Sequence, residues 1–513
     1  MLPSPGLAAA GAAFFATLTR PHNPDTIWHL ALGRWILTHQ AVPDISQFYY
    51  TTAGGFGSDY SWLSQAVLFG AYRLLGGAGI AILTSIVAGC IFYLLYRLLE
   101  RNSANMLVNF AVLGLALLTI TIHLSGRPVM FTVAFFTLEI FILSSFVQSR
   151  GKLIWLIPPM VVLWANLHPG FAAAPLLMLA FLPLVQGARD RWTLVACTVA
   201  SVVAVMFNPY GWRMYLMPLE IARTLPLLKG LTEWGGVSTW QTVVWGGLVA
   251  LVTCGLSLRR QPIPMILLVA LAAVAAGVSN RNMPLFGVVA VFALGRTLVP
   301  VLLPAVRRVS LIRKSDVKFE AVGGWIWAIA VPLLLVGAMR LRVVPMELGF
   351  DLSGYPTDAV RYIESSVCPD NVFVREKWSG YLLWAMPDRK LFFDGKGGFS
   401  REAAEAHSEF VRIRSGWRGA ADRYDVSTFL LERGTPLAVV LSEASDWRRV
   451  YLDSLAEVFV RLPEGQRRIE PSRSPVNHQS GTSQAGIREP EPGYPGIPAD
   501  GDVARPGGLG EGS

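Results

Sequence analysis

The stretch WLSQAVLFGAYRLLGGAGIAILTSIVAGCIFYLLY, residues 62–96, decides how this chain is built. Its second half, 78–96, is an unbroken apolar run of the length a bilayer core demands, about 20 residues. Its first half, Trp62–Leu75, is also apolar and helical in pattern, and Gly76-Gly77 ends it. The two halves are either two spans or one span preceded by a surface or re-entrant helix. Lys and Arg choose between these readings, because they concentrate in cytoplasmic loops. With one span here and the N-terminus cytoplasmic, the inside loops hold Arg97 and Arg101, Arg150 and Lys152, Arg189 and Arg191, Arg259 and Arg260, and the cluster Arg307, Arg308, Arg313, Lys314 and Lys318. The outside turns hold little more than Arg127, Arg213 and Arg281. Two spans would invert every later loop and break the rule. Trp62–Leu75 is therefore placed at the outer surface.

Further apolar runs lie near 4–19, 104–122, 128–148, 153–166, 170–187, 192–207, 241–258, 262–278, 284–303 and 323–339. With 78–96 they make about eleven helices. The expected fold is mainly α: a polytopic transmembrane helical domain over 1–339, with a large first outer loop at 20–60. The first run lacks a basic n-region and reads as a short span, not as a cleavable signal. Inside the loop, Ile27, Trp28, Leu30, Ala31, Trp35 and Ile36 recur at helical spacing. They suggest a short amphipathic helix on the membrane surface, anchored by its tryptophans.

Composition agrees. Apolar residues make up 53% and charged residues 15%, where soluble domains carry about 25% charged. The net charge of +9 sits mainly in short loops between apolar runs, which is topogenic and gives no reason to expect nucleic acid as a partner. Of the four cysteines, Cys90, Cys197 and Cys254 lie inside apolar runs. With Cys368 they form no CxxC pair, so neither a zinc site nor a disulfide framework is indicated.

Residues 340–463 have a different texture. Asn371–Val374, Lys390–Phe393 and Val458–Val460 read as short strands, and Thr357–Ser365 and Arg401–Arg412 as helices. A small extracytoplasmic α/β domain is expected there. From Glu464 to Ser513 the chain is Pro, Gly, Ser and charge, which cannot bury a core and reads as a disordered tail.

The topology gathers polar groups on the outer side: His22, Asp25, His29, Asp44 and Asp59, then His123 and Arg127, Asn166 and His168, Asn208 to Trp212, Glu233, and Asn280 to Asn282. A polar cavity opening outward and fed from the bilayer accounts for this asymmetry. Each member also has a plainer role. Asp25 suits the N-cap of a helix starting at Thr26 or Ile27, and Asp44 after Pro43 suits a turn. Arg127 and Arg281 stand at helix ends, where snorkelling competes with phosphate binding. His168 precedes Pro169 in a turn, and Glu233 beside Trp234 suits the interfacial belt.

The order of short motifs resembles bacterial GT-C glycosyltransferases, relatives of the protein mannosyltransferases and lipid A sugar transferases. The opening Pro24-Asp25-Thr26-Ile27-Trp28-His29-Leu30, Gly33-Arg34-Trp35-Ile36, Val42-Pro43-Asp44 and Phe48-Tyr49-Tyr50-Thr51 carries the likeness. Arg127-Pro128, Trp164 to His168, Asn208-Pro209-Tyr210-Gly211, Arg281-Asn282, Trp378 to Trp384 and Phe393-Asp394-Gly395 follow in order. The resemblance covers nearly the whole chain except the tail. It implies an integral membrane enzyme of the bacterial inner membrane that moves a sugar from a polyprenyl-phosphate carrier to a glycan, lipid or protein acceptor on the outer face. Asp25 matches the catalytic base. His29, Asp44, Arg127, His168, Glu233 and Arg281 are the candidate substrate-binding residues. Thr26 stands where many members have a second acid, so a divalent metal gains no support and no metal ligand is assigned. Lys396 stands where the motif usually has Arg, a point charge in place of a fork. A flippase of lipid-linked sugars or a non-catalytic scaffold would use the same cavity without a base. Transporters often show internal repeats, and none is visible here.

A protease site inserted after residue 463 is expected to be cut from outside in spheroplasts. Protection there would invert the topology.

Overall fold

The computed structural model describes residues 4–19, 21, 23–51, 59–102, 105–217, 239–308, 350–366, 368–394 and 401–463. The apolar run at 323–339, the tail, His22, Glu233, Gly395 and Lys396 lie outside the described residues.

Helices α1 (Pro5–Thr17), α2 (Pro24–His39), α3 (Trp62–Glu100), α4 (Met106–Ile120), α5 (Val129–Ser149), α6 (Ile157–Leu167), α7 (Ala173–Phe181), α8 (Ala188–Ala204), α9 (Thr239–Leu258), α10 (Ile263–Val278), α11 (Met283–Arg296) and α12 (Leu298–Arg308) follow the hydropathy pattern. By length and composition, four of the described helical stretches can cross a membrane: Trp62–Glu100, Val129–Ser149, Trp240–Leu258 and Asn280–Leu302. The other apolar helices are shorter, such as Pro5–Thr17 and Ile263–Val278. α11 is buried from Met283 to Gly295 at every position but Leu285, so it is the central helix. Outward faces of α8 and α10 leave Val199, Val203, Leu267, Leu271 and Val278 exposed, which suits a lipid solvent.

α3 spans 39 residues, which as a straight helix would run about 58 Å and overshoot a hydrocarbon core of about 30 Å. The chain breaks it where the sequence does. Leu75 leaves helical geometry and Gly76 takes φ +60°, a left-handed value that Gly adopts without steric cost. The helix then resumes at once, so Gly76 redirects it and does not end it.

A C-terminal α/β part follows. It holds helices α13 (Thr357–Ser365), α14 (Glu376–Ala385), α15 (Arg401–Arg412), α16 (Trp417–Arg423) and α17 (Pro436–Glu443). Its strands are β1 (Val372–Val374), β2 (Thr428–Glu432), β3 (Trp447–Leu452) and β4 (Ala456–Arg461), in a four-stranded sheet of order β1-β2-β4-β3. β1 pairs parallel with β2, and the other pairs are antiparallel. A parallel neighbour needs a crossover, which the helices between Val374 and Thr428 supply. Lys390–Phe393 is not a strand of this sheet. Leu391 makes only an isolated bridge, to Tyr49, and its backbone bonds go to Phe48 and Tyr50 of the first loop.

That bridge belongs to a larger docking. Trp28, Leu32, Ile45, Phe48 and Tyr49 share one core with Val360, Trp378, Leu382 and Leu391. Two glycines set the approach of α2. A Cβ on Gly33 would lie 2.2 Å from the Gln65 carbonyl oxygen of α3, and one on Gly380 would lie 2.9 Å from the Trp28 nitrogen. Arg34 donates to the Trp384 carbonyl at 2.6 Å and lies over its ring. The surface-helix expectation for α2 is thereby corrected. Helical spacing is right, but the apolar face meets protein. Trp28 is 5% exposed, and Trp35 stacks on His39 and edges Phe48.

Gly380→Val should lower stability by about 1–3 kcal/mol, because two backbones cannot move apart without opening this core. Thermal unfolding in detergent measures it, and an unchanged midpoint would refute the close packing.

Candidate functional site

Asp25 lies in the first turn of α2. The N-cap is Asn23, whose side chain accepts from the Asp25 N–H at 2.9 Å. The capping role considered for Asp25 thus falls to Asn23, which leaves the Asp25 carboxylate for other partners. It meets Arg127 at 3.1 Å, Nη1 to Oδ2, and both side chains are largely buried. The pair spans 102 residues of sequence. Thr26 is fully buried and donates to the Ser125 carbonyl, which docks α2 on the turn before α5. Its hydroxyl is thus spent on packing.

Arg281 lies in the tight turn Asn280–Asn282 between α10 and α11. Its charge and that of Arg127 bear on two buried histidines. Burial first, then Arg127 and Arg281, push His123 down to about 4. Burial, then Arg281 and Arg127, push His168 down to about 3. Both imidazoles are neutral near pH 7. His168 Nδ1 lies 2.7 Å from Thr132 Oγ1, which itself accepts from Trp164 Nε1 at 2.8 Å. The same Nδ1 accepts from the Gly170 N–H at 3.1 Å. An Nδ1 used as acceptor places the proton on Nε2, so His168 offers a donor there and is no base. Its turn-capping role is real. From the C-terminal part, Tyr355 reaches this cluster: its phenol is pushed up by burial, then by Asp25 and Asp351.

One helical turn after Asp25, on the same face of α2, stands His29. Its Nδ1 lies 3.5 Å from Gln65 Nε2. Gln65 donates to Asp59 Oδ1 at 2.9 Å, and Asp59 N–H donates to the Tyr210 hydroxyl at 2.7 Å. Trp62 Nε1 donates to Asn166 Oδ1 at 3.0 Å, and Asn208 ties in through the Ala165 carbonyl. The Asn-Pro-Tyr-Gly turn and the Trp-Ala-Asn-Leu-His segment therefore meet the first loop. Asp44 caps the turn Ile45–Phe48, accepting from Ser46 N–H at 3.0 Å, so its plainer role holds, although its charge reaches Tyr210. Asp394 accepts from Tyr49 at 2.6 Å, tying the motif of the C-terminal part to the first loop.

Of the sequence-derived candidates, Asp25, Arg127, His168 and Arg281 come together, with His29 one turn away on α2. Two groups were missed as site residues, Asp59 and Gln65. Asp59 is 3% exposed, and burial pushes its carboxyl up to about 7 against the opposing bonds from Ser61 and Gln65. The Asp-x-Ser spacing before Trp62 reads as a turn, and nothing local signals that burial. Among the described residues no group of three His, Cys, Asp or Glu side chains stands together as a metal-ligand set.

The fold is mainly helical with a small α/β part, and four of its described helices are long and apolar enough to cross a membrane. No protein-family model matches the chain, and no curated protein matches its sequence. It is similar to two solved structures from Archaeoglobus fulgidus. One is an oligosaccharyltransferase in the apo form, 10% identical over 83% of this chain and 69% of that one, with a TM-score of 0.52. The other is the archaeal oligosaccharyltransferase AglB in complex with an inhibitory peptide and a dolichol-phosphate, 12% identical with the same coverage and a TM-score of 0.56. At this identity the likeness is one of fold.

Asp59 binds a proton in the folded state between pH 3.8 and about 7 that the unfolded chain has released. Wild-type stability should therefore be greatest below pH 4 as far as this group is concerned, and fall as pH rises to 7. Asp59→Asn should flatten that slope in unfolding measured at pH 5 and pH 8. An unchanged slope would place Asp59 in water.

Proposed function

We propose that the chain is a membrane glycosyltransferase that takes a sugar from a polyprenyl-phosphate carrier on the extracytoplasmic side. The observation that carries this is the pair Asp25–Arg127, with Arg281 acting on the same two buried histidines as Arg127: one carboxylate and two guanidiniums, brought together from segments far apart in sequence. The fold likeness to an oligosaccharyltransferase solved with a dolichol-phosphate supports the class of donor.

The chemistry follows from charge. An Asp25 oxygen takes the proton of an acceptor hydroxyl as that oxygen bonds to the anomeric carbon. The bond from the anomeric carbon to the phosphate oxygen breaks, and its electron pair leaves with the polyprenyl phosphate. Arg127 and Arg281 neutralise the charge that builds there, in a site largely shielded from water. In the resting protein Arg127 holds Asp25 in an ion pair. A docked phosphate competes for the guanidinium, whose fork matches phosphate oxygens, and so frees the carboxylate when a donor is bound. Neutral His168 and His123 add no positive charge that would tie up Asp25. They can serve only as hydrogen-bonding groups. The acceptor is a hydroxyl of a glycan, lipid or protein.

Asp25→Asn should cut transfer by about 10²- to 10⁴-fold in proteoliposomes loaded with polyprenyl-phosphate sugars. Helix content should stay unchanged, while the unfolding temperature falls as the buried Arg127 loses its counter-charge. Wild-type turnover in the variant would remove Asp25 as the base.

A further inference from the structure

The geometry points to a sugar-recognition site beside the reacting groups: Asp59 and Gln65 bind hydroxyls of the transferred sugar and determine which sugar is accepted. This rests on the glycosyltransferase reading and deepens it.

Both side chains are almost wholly buried, at 3% and 0% exposure. Each is only half used. Asp59 Oδ1 accepts from Ser61 N–H at 3.2 Å and from Gln65 Nε2 at 2.9 Å. Asp59 Oδ2 and Gln65 Oε1 have no hydrogen-bond partner. Leaving two neighbouring acceptors buried and unpaired destabilises a fold, and natural proteins rarely do so without cause. Their positions are also firmly set. The Tyr210 hydroxyl holds the Asp59 backbone, and Ser64 Oγ donates to the Leu167 carbonyl, which fixes the start of α3.

The ligand they await must bring donors. A phosphate brings only acceptors and negative charge, so it belongs with Arg127 and Arg281. An isoprenoid chain brings neither donor nor acceptor. Adjacent hydroxyls of a sugar ring bring two donors at a spacing that two neighbouring side chains can meet. The location agrees. Gln65 reaches His29, and His29 lies one turn, about 5.4 Å of axial rise, from Asp25. A sugar with its anomeric carbon toward Asp25 would extend past His29, toward Gln65 and Asp59. A site built around hydrogen bonds to hydroxyls discriminates strongly, because a sugar lacking or inverting one leaves the buried acceptor unpaired.

The test measures binding of synthetic polyprenyl phosphates to the full-length protein in detergent. The lipids carry glucose, mannose, galactose or no sugar. Wild type should bind one hexose-bearing lipid more tightly than the bare phosphate. Asp59→Asn, which keeps the Oδ1 acceptor, and Gln65→Met, of similar shape, should each lose that preference by about ten-fold or more. Both should bind the bare phosphate as wild type does. A preference retained in both variants overturns the proposal while the glycosyltransferase reading stands. Equal loss of bare-phosphate binding shows a merely structural role and also overturns it. Mg²⁺-dependent tightening on the bare phosphate that needs Asp59 would assign the acceptors to a cation and overturn it too. Wild type binding no polyprenyl phosphate at all sinks both readings together.

Discussion

α2 is held by two contacts that tolerate no side chain. Gly33 sits against the Gln65 carbonyl of α3, and Gly380 against the Trp28 backbone from the opposite side. Everything proposed for this protein depends on that clamp. It fixes the roll of α2, so that Asp25 and His29 share the face turned to the polar cluster while Trp28, Leu32 and Ile36 are buried. It also locks the C-terminal α/β part onto the first loop, a docking reinforced by Arg34 on Trp384 and by Tyr49 on Asp394. A helix tied this way on both sides can present a carboxylate with little positional freedom, which proton transfer requires.

Around that helix two carboxylates live in opposite surroundings. Asp25 faces a guanidinium at 3.1 Å. Asp59 faces an amide and a backbone N–H, and burial raises its carboxyl to about 7. Environments that push like groups apart assign them different work. The first suits charge and proton handling beside a phosphate. The second suits hydrogen bonding to hydroxyls. The two buried histidines stay neutral near pH 7, so the cluster gains no further positive charge from them.

The membrane-spanning pattern was legible because lipid imposes a long apolar run that few other contexts require. Runs near 128–148, 241–258 and 284–303 correspond to the helical stretches Val129–Ser149, Trp240–Leu258 and Asn280–Leu302 within a few residues. The break at Gly76 was legible for a local reason, the φ that Gly alone tolerates easily. In the α/β part, Thr357–Ser365 and Arg401–Arg412 were clear from periodicity. Lys390–Phe393 misled, since an apolar run beside a turn looks the same whether it pairs in a sheet or packs on a loop from the other end of the chain. β2 and α14 went unread for the same reason: their apolar runs carry no period that separates strand from buried helix.

By itself the sequence determined which segments are apolar enough for a lipid solvent, the order of polar turns along the chain and the presence of an acid at the start of α2. Those are properties of short windows, and hydropathy and turn chemistry act over short windows. Tertiary structure alone decided that Asp25 meets Arg127 from 102 residues away, that Trp28 faces a protein helix and not headgroups, and that Asp59 is buried with an unused oxygen. Burial and pairing arise from which helices pack together, and that is set by close contacts such as Gly33 and Gly380, whose partners no local pattern names.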